Sequence, residues 1–194
     1  MKNLQRYRGE NGKWGFADEL RNVVIPCQWD DASFFREGLA AVQQGGKWGF
    51  IDRSGNLVIP CRWNRVWFFS EGLAAVEQDY EKWGFIDKEG NLVIPCQWPC
   101  HSNFSNGLAS VRSEHGGYGY IDRQGNLVIP CDWDEAYDFQ DGLAIVMEIG
   151  YDTGVPYYYV IDKSGDTVVD ACFIDFYCAK AAISEILHNR QTSD

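Results

Sequence analysis

Short apolar runs separated by polar turns fill this chain, and they return with a fixed period. Trp14, Trp48, Trp83 and Tyr118 head the segments WGF, WGF, WGF and YGY, and Tyr158 holds the same place in YYYVID, at spacings of 34, 35, 35 and 40 residues. Pro26, Pro60, Pro95 and Pro130 close VVIP or LVIP runs, and each precedes a Cys. Between them F-x-x-G-L-A recurs at residues 35–40, 69–74, 104–109 and 139–144. Three markers on one period define five tandem copies of a roughly 35-residue unit.

Each unit parses as three short strands of the types LAAVQ (39–43), KWGFID (Lys47–Asp52) and NLVIP (56–60). The turn between the last two reads D-x-x-G-N or D-x-x-G-D in copies two to five. Its Asp can accept backbone N–H groups and its Gly supplies positive φ, so a type I turn with a bulge closes a β-hairpin. In the first copy Arg21 takes the Gly position, which predicts a strained or altered turn. Pro is expected to end the third strand because it cannot donate to a ladder.

Period-two alternation puts Trp48 and Phe50 on one face of the central strand, with Gly49 and Ile51 on the other. NLVIP is apolar on both faces, so the small sheets are expected to stack face to face, with Gly49 admitting a neighbouring aromatic ring. The fold class is thus all-β, a tandem array of five three-stranded antiparallel units at about 3–27, 38–61, 72–96, 107–131 and 142–170. Two arrangements fit: an open stacked array, favoured because the degenerate last copy resembles an end cap, and a five-bladed propeller. That last copy carries an insertion at 150–156 and Asp170 in the Pro place. Phe176, Ala179, Ile183, Ile186 and Leu187 then fall at helical spacing, predicting an amphipathic helix over 176–189. The chain accordingly divides into a β domain at 1–170 and a capping helix with its tail at 171–194.

The combination KWGFID, GNLVIP and F-x-x-G-L-A-x-V closely resembles the WG-repeat (KWG-repeat) proteins of bacteria, over about residues 7–170. The resemblance implies a β-repeat architecture, a bacterial source and a role as an interaction module, and it brings no catalytic residues. Cys-x-Trp after the Pro departs from the Tyr-Asp type segment of many such repeats.

Composition then limits the functional classes. A hydrophobic fraction of 45% excludes disorder as the main state. The first residues lack the apolar run of a signal peptide, and no stretch of about 18 apolar residues could span a membrane. Seven cysteines, an odd number, read as reduced thiols and a cytoplasmic location. Net charge is −11, with 12 Lys and Arg against 13 Asp and Glu in residues 1–97 but 5 against 15 in residues 98–194. No basic stripe exists to hold nucleic acid or an anionic membrane, whereas a basic protein partner fits the acidic half.

Candidate chemistry is sparse. Cys27, Cys61, Cys96 and Cys131 recur once per repeat and read as small packing residues. Cys96, Cys100 and His101 form the densest metal-like cluster, but a single C-x-x-x-C-H is a weak signal, so no metal or other cofactor is expected. His115 and His188 stand in no recognisable motif. Asp52, Asp87, Asp122 and Asp162 are explained by their turns, since no calcium loop is present. Trp29, Trp63, Trp98 and Trp133 should lie just outside the third strand, in the connections. Their rings suit either caps between units or contacts to a sugar or peptide. With Asp132, Asp134, Glu135 and Asp138 they outline an acidic, aromatic edge. The expected function is a non-catalytic protein-interaction scaffold, of adaptor or immunity type. A carbohydrate-binding module on the Cys-x-Trp loops is the alternative, and a thiol or metal protein ranks below it.

Overall fold

In the computed structural model residues 4–169 and 172–191 are described, so the expected substitution of Pro by Asp170 lies outside them. The chain forms two compact units, residues 1–97 and 98–194.

In the first unit, β1 (Gln5–Arg8), β2 (Trp14–Ala17) and β3 (Val23–Trp29) make a three-stranded sheet. The second sheet runs β4 (Asp31–Ala32), β5 (Leu39–Gln44), β6 (Lys47–Asp52) and β7 (Leu57–Trp63) in that order. The third repeats it with β8 (Arg65–Val66), β9 (Ala74–Asp79), β10 (Lys82–Ile86) and β11 (Leu92–Trp98). In the second unit, β12 (Cys100–His101), β13 (Leu108–Arg112), β14 (Tyr118–Asp122) and β15 (Leu127–Trp133) form the fourth sheet. The fifth holds β16 (Glu135–Ala136), β17 (Leu143–Ile149) and β18 (Pro156–Asp162), followed by helix α1 (Phe176–Gln191). The five antiparallel units and the terminal helix are those expected, and none of the sheets closes into a barrel. The three middle sheets gain a fourth strand of two residues, contributed by the connection after Cys-x-Trp. In the fifth copy the third strand shrinks to an isolated bridge between Ile161 and Thr167.

The third strand departs most from expectation. Pro does not end it; the strand continues through Pro-Cys-x to the Trp. It does so by bulging. Phe50 pairs with Ile59 but Trp48 pairs with Trp63, so two residues of β6 face four of β7. The bulge folds the outer strand over Gly49, where an added Cβ would stand 2.3 Å from the Ile59 carbonyl oxygen. Gly15, Gly84 and Gly119 show the same approach, at 2.4, 2.4 and 2.3 Å. The Gly of the motif therefore makes room for its own sheet's backbone, not for a neighbouring aromatic ring. Proline suits this bulge because its missing N–H is not needed by a ladder.

Stacking is face to face. Within the first unit, Ile51, Ala40 and Val42 pack against Phe16, Ile25 and Trp29 of the first sheet. From the opposite face, Leu39, Ala41 and Phe50 meet Phe69, Ala74, Val76 and Ile86 of the third. The second unit pairs Leu108, Tyr120 and Ile129 with Phe139, Ala144, Val146 and Ile161. NLVIP is only partly covered, however. Ile59 is buried while Leu57 and Val58 remain 44% and 41% exposed, because β7 is an edge strand.

The two turn types are regular. Asp52 Oδ1 accepts N–H groups from Ser54 and Asn56 at 2.8 and 2.9 Å, and Gly55 has φ of +87°. Gly55 packs its bare Cα against Ile25 of the previous sheet. The first copy keeps these hydrogen bonds through Asp18 but holds Arg21 at φ of +65°, the strain expected there. The F-x-x-G-L-A motif forms a two-residue turn with both φ values positive, +48° at Glu37 and +93° at Gly38. Arg36 and Leu39 pair across it.

Candidate functional site

The Cys-x-Trp row is mostly interior. Each Trp is the last residue of a third strand, not part of a loop, and Trp29 and Trp63 are only 5% exposed, within the cores between sheets. Trp98 and Trp133 are half-buried. The indole Nε1 atoms of Trp29, Trp63 and Trp98 have no hydrogen-bond acceptor among the described residues. Sugar stacking requires an open ring face. Trp29 and Trp63 have none to offer, so these two rings form no stacking platform.

The cysteine ladder is explained by the bare Gly. Gly49 pairs with Val42 across β5 and β6, and the Cys61 thiol passes over it toward the Val42 carbonyl at 3.7 Å. Cys27, Cys96 and Cys131 reach Tyr7, Val76 and Val111 in the same way, at 3.8, 3.8 and 4.0 Å. Burial raises the pKa of Cys61, Cys96 and Cys131 above the ordinary thiol value.

Cys96 lies in the first unit, and Cys100 and His101 lie in the second. Among the described residues no three His, Cys, Asp or Glu side chains converge as a metal-holding group. His101 sits with Nδ1 3.0 Å from the Ser102 carbonyl, and burial lowers its pKa.

Asp132 near the end of β15, Asp134 after it, Glu135 in β16 and Asp138 beyond it are all exposed. Two of them also brace the fold. Asp134 Oδ2 accepts the Ile149 N–H at 2.7 Å, and Glu135 Oε2 accepts the Tyr137 hydroxyl at 2.7 Å. Burial, and then that bond to Glu135, push the Tyr137 pKa up.

This edge leads into a cleft of about 370 Å³ that no sequence motif marks. Asp175 precedes helix α1 and its Oδ1 caps the Cys178 N–H at 2.8 Å, and the helix's apolar stripe covers the outer face of the fifth sheet. The stripe is the one predicted: Phe176, Ala179, Ile183, Ile186 and Leu187 all pack there, around Leu143, Ile145 and Val160. Where helix and sheet part, Leu143, Ile145, Phe176, Ile183 and Leu187 floor the cleft. Its rim carries Tyr137, Asp138, Gln140, Asp141, Lys180 and Ser184. A single sequence signal pointed toward it, the loss of WGF beside a new helix. Val160 stands where Tyr120 stands one repeat earlier, so the last sheet offers a smaller surface for the helix to cover.

The arrangement has an apolar floor and a predominantly acidic rim, and it suits an apolar side chain flanked by cationic or hydrogen-bonding groups.

Sequence and fold comparisons agree with this architecture. The family described as WG containing repeat matches residues 14–48, 48–81, 83–114 and 118–150, more than half of the chain. No curated protein matches. A crystal structure of the eukaryotic initiation factor is similar in fold, with a TM-score of 0.63 at 12% identity, over 89% of this chain and 52% of that one. A crystal structure of the WD40 beta propeller domain of Doa1 aligns at a TM-score of 0.39 and 13% identity, over 86% and 61% of the two chains. The chain thus spans about half and about three-fifths of these two structures. Four matched copies of the repeat, each with its Gly under a Pro-Cys bulge, place the chain in the WG containing repeat family.

Proposed function

We propose that this protein is a non-catalytic interaction scaffold, of adaptor or immunity type in a bacterial cytoplasm. Its contact surface is the acidic edge at Asp132, Asp134, Glu135 and Asp138, continued into the cleft beside α1. The observation that carries this reading is the cleft itself. A floor of Leu143, Ile145 and Ile183 lies beside Asp138 and Asp141, in the half of the chain that holds nearly all of the net charge of −11. Such a surface favours a basic protein segment that inserts one apolar residue, and long-range attraction would speed its encounter. Side chains that do chemistry in other proteins have structural duties here, the thiols over Gly and the Asp residues in turns.

The test is affinity capture followed by a binding titration with the captured protein. Asp132→Lys with Asp138→Lys should weaken binding at least tenfold, and added salt should weaken the unaltered complex. Binding indifferent to both changes would refute the proposal.

A further inference from the structure

The F-x-x-G-L-A turns contact one another in a repeated way, and the last turn in the chain has the contact groups but no turn to receive them. In the first unit Glu37 Oε2 accepts the Gly72 N–H of the next turn at 3.0 Å. The Arg36 guanidinium lies 5.5 Å from the ring centre of Phe68, also in the next turn. In the second unit Asn106 Oδ1 accepts the Gly142 N–H at 2.8 Å, and Ser105 Oγ donates to the Phe139 carbonyl at 2.6 Å. The rule is the same in both. The residue before the turn Gly accepts from the Gly of the next turn, and the residue before that reaches a Phe at the start of the next turn, Phe68 or Phe139.

Followed to its end, the rule assigns Asp141 as the next acceptor and Gln140 as the next donor. Asp141 has φ of +50°, the conformation of Glu37 and Asn106 at the equivalent positions. Both residues are exposed, both line the cleft beside α1, and neither side chain has a hydrogen-bond partner among the described residues. At the other end of the series, the turn at residues 35–38 carries the matching groups. The Gly38 N–H has no acceptor among the described residues, and Phe34 is 65% exposed.

We propose that two copies of this chain associate head to tail. Asp141 of one copy accepts the Gly38 N–H of the other, Gln140 meets its Phe34–Phe35 pair, and Phe34 enters the cleft over Leu143 and Ile183. The contact continues an interface the chain already makes within itself. It joins two different surfaces, so it generates rings or open chains of copies and is not an isologous pair. It fills the cleft that the basic-partner reading also uses, so the two are competing occupants of one site, and purified protein alone reports this one.

The experiment is sedimentation velocity of the purified full chain from about 5 µM to 1 mM, with Asp141→Gly and Asp141→Asn alongside. Glycine accommodates the positive φ and removes the carboxylate, whereas asparagine keeps both the φ and an acceptor oxygen. Equal circular dichroism spectra and melting temperatures establish that all three fold alike. The expected result is association that rises with concentration, weakened about 10- to 100-fold by Asp141→Gly and retained by Asp141→Asn. A monomer across the whole range would overturn the proposal, as would association that Asp141→Gly leaves unchanged.

Discussion

Replacing Gly49 with Ala tests the account of the repeat most directly, because it separates two reasons for which a Gly can be required. A Cβ at position 49 would stand 2.3 Å from the Ile59 carbonyl oxygen and 2.7 Å from both the Cys61 nitrogen and the Pro60 carbonyl carbon. These are backbone atoms of β7 and cannot rotate away. Relief requires the outer strand to move, which opens the bulge and draws the Cys61 thiol from the Val42 carbonyl. Overpacking typically costs about 1–3 kcal/mol, and contact with an immobile backbone belongs at or above the upper end. Gly46 is the control. It has φ of +78° with nothing within 4 Å of its added Cβ, so Ala there meets only the left-handed penalty of about 1–2 kcal/mol. Part of that is offset by a less flexible unfolded chain, leaving about 1 kcal/mol. At roughly 2–4 °C per kcal/mol for a chain of this size, Gly49→Ala should lower the melting temperature by about 6–12 °C and Gly46→Ala by about 2–4 °C. Thermal unfolding followed by far-ultraviolet circular dichroism reads both. Equal losses would show that Gly49 is not held by the bulge, and would refute the packing argument for the Trp-Gly pair.

Arg21→Gly should act in the opposite direction, raising the melting temperature by about 1–4 °C, since it relieves a positive φ that the other copies give to Gly. The turn carboxylates make stability fall in acid. The Asn56 side-chain amide, aided by backbone N–H groups, holds the Asp52 pKa below its ordinary value of 3.8. A depressed folded pKa contributes stability that is fully present above the unfolded value and is lost as pH falls through the folded one. Urea midpoints should therefore drop below about pH 4, and Asp52→Asn should flatten part of that slope; a profile unchanged by the substitution would contradict the assignment. Alkylation mapped by mass spectrometry should modify exposed Cys172 well before Cys61, Cys96 and Cys131, whose thiols are half-buried and raised in pKa by burial. Rapid labelling of Cys61 in the folded chain would show that the row over the Gly positions is more open than this packing allows.

The same residues explain why most of the fold and the acidic edge were legible in the sequence, while the bulge and the cleft were not. Turn chemistry is local: Asp52, Gly55 and Asn56 close their hairpin within five residues, so spacing alone reports it. The α1 stripe is equally local, and Phe176, Ala179 and Ile183 face one way wherever the helix docks. The Pro-Cys bulge is not local, because it exists only once β6 and β7 are paired. The sequence could show that Gly49 and Pro60 recur together without showing that one lies under the other. Burial of Trp63 follows from the bulge, which carries the strand past Pro60 and turns the ring into the core rather than into a loop. The cleft is further still from any linear signal. It arises where a helix covers a sheet that the earlier repeats would cover with another sheet, and the two shapes do not fill the same volume. A repeat can be read from its period, but what its last copy lacks can be seen only against the contacts that the earlier copies make. In this protein that comparison singles out Gln140 and Asp141, whose counterparts one repeat earlier, Ser105 and Asn106, are both engaged with the turn that follows.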